Sequence, residues 1–388
     1  MLENDINRKY KLMRYYIIAG EASGDLHASN LIKEINLLDK KTQFRCWGGD
    51  LMQNQGAEIV KHYKNLAFMG FIEVLMNVRT IFKNIKFCKK DIVEYKPDVV
   101  ILVDYPGFNF KIAKFCKQTG LKVFYYISPQ LWAWKQSRVK KIKKFVDNMF
   151  VILPFEEKFY KSYNYKVDFV GHPLFDAIAQ VKFKKFEIFV KENNLNDKPV
   201  IALVPGSRRQ EIIRMLSKML SIIPYYKDYQ FVIAGVSSVS VEFYKHIIKD
   251  LDVEIIYNNT YELFMHSKAA LVTSGTATLE AALFEVPEVV CYKSLLVSYL
   301  LAKFFVGSKI KFISLVNLIM DKQVVAELIQ KDFNTKNLKK ELDKIIYDKE
   351  HKKILLNDYK KLKKKLGGKG ASAKAAKLMI EYLRKENV

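Results

Sequence analysis

Two loops of the amino-terminal half carry carboxylates that could act as a general base. Asp104 ends an apolar, strand-like run, and a carboxylate on a buried strand is costly unless it has partners or faces a ligand. Glu21 lies in the turn 20–25 (GEASGD), whose glycines allow a ligand to approach the backbone. Ser23 and Asp25, in the same turn, are candidate acceptor-site residues, or either could cap the following helix. Asp104 is the preferred base, with Glu21 as the second candidate catalytic residue.

Two loops of the carboxyl-terminal half, 205–211 (PGSRRQE) and 273–280 (TSGTATLE), have the composition of an anion site. In each, small hydroxyl residues and a glycine join a strand-like run to a helical one, where backbone N–H groups can bind a diphosphate. Glu280, one turn into the second helix, could accept hydrogen bonds from ribose hydroxyls or only complement the helix dipole. A structural turn with a solvated arginine is the alternative for the first loop, which is not a Walker A motif. The candidate diphosphate ligands are Ser207, Arg208, Ser274, Gly275 and Thr276.

Two further features could contact sugar, lipid or metal. Trp132 and Trp134 precede a basic run and suit sugar stacking or an acidic lipid head group, although tryptophans at strand spacing could also be core. Asp250 and Asp252 form a D-x-D pattern between a helix and the start of a strand, which is the wrong end of a sheet for a metal site. We therefore expect no metal and no other cofactor.

These residues fall at the ends of strand-like runs that alternate with helical patterns along the chain. Such alternation predicts parallel sheets with crossover helices, in two doubly wound, Rossmann-like halves facing a central cleft. This is the architecture of GT-B glycosyltransferases, an α/β fold. We predict domains at 1–180 and 181–355, with carboxyl-terminal helices at 356–388 that pack back on the first domain.

Composition restricts the class of protein further. The 65 Lys and Arg against 41 Asp and Glu give a formal charge of +24, which favours an anionic partner but does not choose between nucleic acid, phosphorylated metabolites and acidic lipid. Four separated cysteines suggest neither a disulfide framework nor a zinc site. We see no signal region and no apolar run of the roughly 18–20 residues that span a bilayer. We expect a cytosolic protein that lies on a membrane if it meets one.

A series of strings, in order along nearly the whole chain, resembles the lipid-A-disaccharide synthase family. The strings are GEASGD (20–25), NLAFMGFIEVL (65–75), KPD (96–98), SPQLWAW (128–134), VGHP (170–173), PGSRRQE (205–211), TSGTATLE (273–280) and SLVNL (314–318). Their joint occurrence is much more specific than any one of them. The chain departs from the family pattern at Gly107, where an Asp is usual, and at Val316 and Ala326, where Pro is usual.

The resemblance implies an inverting transfer of 2,3-diacylglucosamine from its UDP derivative to 2,3-diacylglucosamine 1-phosphate (lipid X), in a Gram-negative type of organism. It implies that Asp104 is the base, that Arg208 and 274–276 hold the departing diphosphate, and that Asn317 is a UDP-site residue. The first domain would bind acceptor and membrane, and the second the UDP-sugar. Another GT-B UDP-sugar transferase or epimerase is the nearest rival, and a basic nucleic-acid-binding protein is the rival from a different class. The acceptor and lipid contacts would include Ser23, Asp25, Met69, Phe71, Trp132 and Trp134.

An amphipathic, basic stretch between Phe68 and Lys90 suits a membrane surface, and Leu295–Val306 is a second candidate. A helix packed on its own core would explain the apolar stripe but not the basic flank. We therefore expect a peripheral protein on the cytoplasmic face of the inner membrane, with no nucleic-acid partner and with a homodimer possible.

Overall fold

The structure is a computed structural model, and it describes residues 12–65, 78–133, 136–294 and 311–385. The candidate residues Met69, Phe71 and Trp134 lie outside these ranges, as does the candidate membrane segment Leu295–Val306. The chain divides into two compact units, one formed by Met1–Gln180 with Leu366–Val388 and the other by Val181–Lys365.

The first unit is built on a sheet of seven parallel strands in the order β3-β2-β1-β4-β5-β6-β7. The central strands are short runs of apolar residues that are buried throughout, as expected for strands covered on both faces. The strands are β1 (Met13–Ala19), β2 (Thr42–Gly48), β3 (Glu58–His62), β4 (Val99–Val103), β5 (Lys122–Tyr126), β6 (Asn148–Val151) and β7 (Asp168–Phe169).

Helices cover both faces of this sheet. Successive residues of β1 point to opposite sides, so that Tyr15 and Ile17 join one core while Tyr16 and Ile18 join the other. The helices are α1 (Ala22–Leu38), α2 (Asp50–Gln53), α3 (Val78–Tyr95), α4 (Pro106–Gln118), α5 (Val139–Phe145), α6 (Pro154–Lys161) and α7 (Leu174–Ala179), with the last helix of the chain described below.

The second unit repeats the plan with six parallel strands in the order β10-β9-β8-β11-β12-β13. The strands are β8 (Val200–Val204), β9 (Gln230–Gly235), β10 (Glu254–Tyr257), β11 (Ser267–Thr273), β12 (Glu288–Tyr292) and β13 (Ala326–Ile329). Its helices are α8 (Phe186–Glu192), α9 (Arg209–Met219), α10 (Val241–Ile248), α11 (Thr260–Met265), α12 (Thr276–Leu283), α13 (Leu315–Met320), α14 (Thr335–Tyr347) and α15 (Lys349–Lys365). Two doubly wound parallel sheets confirm the predicted fold class.

Near the end of the chain, the structure places the boundary between the units at 365/366, whereas the sequence-based boundary is at 355/356. Helix α15 stays in the second unit up to Lys365, because Leu355, Tyr359 and Leu362 are buried where α15 packs against α12, α13 and α14. The last helix, α16 (Ala371–Lys385), packs against α1 in the first unit. Its first turn is held by Asp176, whose carboxylate accepts the N–H groups of Gly370 at 2.7 Å and Ser372 at 2.8 Å.

Candidate active site

The switch point of the first sheet brings the two candidate acidic loops together. Strands β1 and β4 are neighbours, and Ala19 lies opposite Val103, so the chain leaves both strands at the same edge. The loops touch: the ring of Tyr105 lies against Gly20, where an added Cβ would come within 2.4 Å of a ring carbon. Gly20 is therefore needed for the close approach of the loop that carries Asp104.

Asp104 sits in a strained stretch of backbone. Asp104 and Tyr105 have φ angles of 42° and 47°, in the left-handed region that non-glycine residues seldom adopt. Each such residue costs on the order of 1–3 kcal/mol and persists only where its surroundings hold it. Here the Asp104 carbonyl accepts the Tyr125 hydroxyl at 2.5 Å and the Asn109 side-chain amide at 2.7 Å. Buried partners thus fix the backbone from which the Asp104 carboxyl extends.

Burial also adjusts the proton affinity of this carboxyl. The pKa of Asp104 is raised to about 6, mainly by desolvation and also by the charge of Glu21, while a hydrogen bond from the Tyr105 backbone opposes the shift. Glu21 is exposed and caps α1 through its backbone position, without a side-chain capping bond. A carboxylate with a pKa near the working pH is suited to accept a proton from a hydroxyl.

A buried polar group that sequence reasoning missed lies at the ends of β5 and β6. The Ser128 hydroxyl is 2.6 Å from the hydroxyl of Tyr160, and both are buried. The Glu156 carboxyl accepts the Leu153 N–H at 2.9 Å, and burial raises the pKa of Glu156 to about 8, with the charge of Asp104 adding to the shift. Pro154 at the start of α6, with Glu156 two residues on, was the available signal for a capped helix at this edge.

Trp132 is half-buried beside this group. Its ring packs edge-on against Phe155 with 5.0 Å between centroids, and its indole N–H has no partner among the described residues. A buried, unpaired indole donor is costly, so the position suits contact with a polar ligand.

The turn that holds Glu21 also contains Asp25, whose carboxylate binds backbone groups of the protein, while its predicted contact with the acceptor stays a prediction. Asp25 is buried, and its carboxylate accepts the N–H groups of Gly49 at 2.8 Å, Met52 at 3.1 Å and Leu51 at 3.2 Å. Asp25 therefore caps α2, and its carboxylate has little capacity left to form hydrogen bonds with the acceptor substrate. Ser23 differs, because it is exposed in the first turn of α1.

In the second unit a cavity of about 330 Å³ opens at the switch point between β8 and β11. Its walls come from the ends of β8, β9 and β11 and from the first turns of α9, α11 and α12. All five predicted diphosphate ligands, Ser207, Arg208, Ser274, Gly275 and Thr276, line it, together with Glu280.

The first wall is the loop from β8 to α9. Gly206 has a φ of +108° and leaves no room for a side chain, since an added Cβ would lie 2.9 Å from a carboxylate oxygen of Glu211. Arg208 precedes α9 in extended conformation, is exposed, and pairs with Glu211 at 3.2 Å. An exposed ion pair of this kind is weak and can be exchanged for a ligand phosphate.

The second wall is the start of α12. Gly275 and Thr276 are exposed, so the free N–H groups of the first helical turn are accessible to an anion. The Ser274 hydroxyl is used elsewhere, donating to the Ile313 carbonyl at 2.9 Å. Burial raises the pKa of Glu280 to about 7, and this side chain lines the cavity.

Asn317 does not reach this cavity. It is fully buried, its amide donates to Val325 O at 2.9 Å, and its oxygen accepts the N–H groups of Val324 at 2.7 Å and Val325 at 2.9 Å. In this structure the polar atoms of Asn317 are bound by the protein itself, and its contact with UDP stays a prediction.

Among the described residues, no helix is both long enough and apolar enough to cross a membrane. Solved structures share the fold at low sequence identity. UDP-GlcNAc 2-epimerase from Neisseria meningitidis, bound to UDP-GlcNAc, gives a TM-score of 0.68 at 15% identity over 96% of this chain and 100% of its own. The S. aureus MnaA–UDP structure gives 0.69 at 15% identity over 96% and 97%. A glycosyltransferase of kitacinnamycin gives a TM-score of 0.66 at 12% identity over 96% and 100%. Together these structures identify the GT-B fold.

Sequence comparison is more specific. Lipid-A-disaccharide synthase from Geobacter metallireducens is 36% identical over 379 residues, covering 96% of this chain and 98% of the relative. The Coxiella burnetii (strain Dugway 5J108-111) protein of the same name is 34% identical over 367 residues, covering 94% and 96%. The family model of lipid-A-disaccharide synthetase matches residues 15–381. The chain therefore belongs to the lipid-A-disaccharide synthetase family.

Proposed function

We propose that this glycosyltransferase of lipid A synthesis joins UDP-2,3-diacylglucosamine to 2,3-diacylglucosamine 1-phosphate (lipid X). The products are the lipid A disaccharide 1-phosphate and UDP. Family membership supports the reaction, and one observation carries the assignment of its base: the half-buried carboxyl of Asp104, on strained backbone at the switch point of the first sheet, has its pKa raised to about 6.

In the proposed step the 6-hydroxyl of lipid X attacks the anomeric carbon of the donor. Asp104 accepts the hydroxyl proton as the new C–O bond forms, and the bond from the anomeric carbon to the diphosphate oxygen breaks with its electron pair leaving on UDP. Attack from the face opposite UDP inverts the anomeric centre. The raised pKa makes Asp104 a stronger base than an ordinary aspartate, and the fixed backbone limits the geometries that its carboxylate can adopt.

The leaving diphosphate is proposed to bind in the second unit. Arg208 would exchange Glu211 for phosphate oxygens, while the N–H groups at Gly275 and Thr276 would stabilise the charge that develops as UDP departs. Ser207 lines the same cavity as a hydroxyl donor, Ser274 shapes its second wall, and Glu280 is proposed to accept the ribose hydroxyls. This arrangement supplies the charge stabilisation that the reaction requires from the residues of the chain.

Lipid X is proposed to contact Ser23 and the unpaired indole of Trp132 in the first unit. The remaining candidates Met69, Phe71 and Trp134 stay predictions, since they lie outside the described residues.

Membrane contact is proposed through α3 and α4. Phe82 and Phe87 are 58% and 44% exposed, and the Lys111 ammonium lies 4.5 Å from the centroid of Phe82. Apolar rings surrounded by lysines suit an anionic lipid surface, and this supports a peripheral position on the cytoplasmic face of the inner membrane. The homodimer stays a prediction that sedimentation would measure.

A transfer assay tests the proposal. Purified full-length chain is incubated in detergent with radiolabelled lipid X and either the diacylated or the non-acylated UDP-glucosamine donor. We expect disaccharide and UDP with the diacylated donor only. Turnover of the non-acylated donor alone, or epimerisation of UDP-GlcNAc, would contradict the proposal and favour the epimerase alternative.

A further inference from the structure

A carboxylate on β13 holds the chain that enters α13. Glu327 accepts the N–H of Ile313 at 3.0 Å, the N–H of Ser314 at 2.9 Å and the Ser314 hydroxyl at 2.8 Å. A fourth bond comes from the side-chain amide of Asn317, at 2.9 Å. Hydrogen bonds to an ionised acceptor are roughly twice as strong as neutral ones, so one carboxylate with four donors fixes this turn firmly.

The same turn is fixed from a second direction. The Asn317 oxygen accepts the N–H groups of Val324 and Val325, the residues just before β13, and the Ser314 hydroxyl in turn accepts the Asn317 N–H at 3.2 Å. We call this set of side chains, Ser314, Asn317 and Glu327, the β13 clamp. It joins the start of α13 to the sheet without using any group of the nucleotide cavity.

One residue connects the β13 clamp to that cavity. The N–H of Ile313 is bound by Glu327, and the carbonyl of Ile313 accepts the hydroxyl of Ser274. Ser274 begins the loop from β11 to α12 and directly precedes the exposed Gly275 and Thr276. A shift of Ile313 would therefore displace the acceptor that orients Ser274, and with it the backbone N–H groups that point into the cavity.

We propose that Glu327 is a positioning residue for the nucleotide diphosphate, acting through Ile313 and Ser274 on the anion-binding turn of α12. The inference rests on the proposed function in so far as the ligand is UDP. Glu327 itself touches no substrate. Its effect is on the affinity of the donor and of UDP, and not on the proton transfer at Asp104 in the other unit.

The experiment compares UDP affinity, measured by titration calorimetry on the full chain, with the two Michaelis constants in the transfer assay. Glu327→Gln keeps the shape of the side chain and removes its charge. We expect UDP affinity about tenfold weaker, since charge-assisted bonds are lost, and the KM for the donor raised similarly. The KM for lipid X and the pH profile that reports Asp104 stay unchanged.

Asp343→Asn is the matched control. Asp343 also lies in the second unit and accepts a partly buried hydrogen bond from the Tyr226 hydroxyl at 2.7 Å, but neither residue contacts Ser274 or Ile313 in the hydrogen bonds described. We expect it to lower thermal stability without changing UDP affinity. If both variants lose stability equally and both keep wild-type UDP affinity, Glu327 is only structural and the inference is overturned.

Two further measurements keep the result interpretable. In the Ser274→Ala background, Glu327→Gln should weaken UDP binding by much less than tenfold, because the route through Ile313 is already cut. If Glu327→Gln does not fold, Ser314→Ala removes one bond to Glu327 and the bond from the Asn317 N–H, and unchanged UDP affinity in that variant overturns the inference. Wild-type chain that binds no UDP would instead contradict the proposed function itself.

Discussion

The two strand edges that carry candidate residues are built in opposite ways. In the first unit, Asp104 is enclosed, held in a left-handed conformation, and its pKa is raised to about 6 by burial. In the second, Arg208, Gly275 and Thr276 are exposed around an open cavity. A base gains strength when its charge is poorly solvated, whereas an anion site needs donors that are free to meet the ligand. In the proposed reaction the same doubly wound scaffold therefore serves proton transfer at one edge and charge stabilisation at the other.

The largest expected effect tests this division at the first edge. Asp104→Asn removes the base while keeping the shape of the side chain, so turnover should fall by about 10²–10⁴, the usual contribution of general-base catalysis. UDP affinity should not change, because the nucleotide cavity lies in the other unit. Rate and UDP affinity are measured on the same preparation.

Asp98→Asn is the control, since Asp98 precedes the same strand at its opposite end and accepts the Arg14 N–H at 2.8 Å. Its variant should keep most of the activity. A loss of turnover as large as in the Asp104 variant would indicate that turnover depends on the integrity of β4 and not on the Asp104 carboxyl.

The second prediction separates two polar residues of one turn, Asp25 and Ser23. Asp25→Ala leaves the N–H groups of Gly49, Leu51 and Met52 without their acceptor, so the free energy of unfolding should fall by about 2 kcal/mol. Ser23→Ala, at an exposed position two residues earlier, should change it by less than about 0.5 kcal/mol. Denaturant titration measures both. Equal stabilities would remove the capping role that the structure gives to Asp25.

The third prediction tests the second edge. Arg208→Ala should weaken UDP binding by about tenfold, the value of one charge-assisted contact, and should raise the donor KM more than it lowers kcat. Arg214→Ala, on the same helix but away from the cavity, serves as the control. If both arginine variants bind UDP equally well, Arg208 contributes only to the overall positive electrostatic potential of the surface.

The sequence was sufficient for the parts of this arrangement that depend on chain order. Apolar runs such as Val99–Val103 and Ile201–Val204 predicted parallel strands, and the rule that ligands bind at their carboxyl ends located both loops. Strands β2, β3 and β13 were not predicted, because their residues are less uniformly apolar: Arg45, Lys61 and Glu327 interrupt the pattern, one in each strand.

Roles that depend on the third dimension could not be predicted. Asp25 and Asn317 stand in conspicuous strings, but their hydrogen-bond partners are set by packing. The donors to Asp25 lie 24 or more positions away, and those to Asn317 are Val324 and Val325, just before β13. The missing prolines at Val316 and Ala326 put the rigidity of those turns in doubt, and the structure gives each position a bound neighbour, Asn317 or Glu327. Sequence reasoning recognises residue types, while hydrogen-bond partners come from packing.

The smallest expected effect concerns the influence of Glu21 on the pKa of Asp104. The charge of Glu21 raises the pKa of Asp104, so Glu21→Gln should lower that pKa and shift the acid limb of kcat/KM, which falls as pH drops through about 6, to lower pH. Because Glu21 is exposed, water and salt screen its charge, and the shift should shrink as ionic strength rises. Glu34→Gln, further along the same helix, controls for the loss of one negative charge. A pH profile that moves equally in both variants, or that does not respond to salt, would show that Glu21 acts otherwise than through its field on Asp104. In that case burial alone would account for the raised pKa of Asp104. The difference between the two strand edges would then come from desolvation of Asp104, with no contribution from the Glu21 carboxylate.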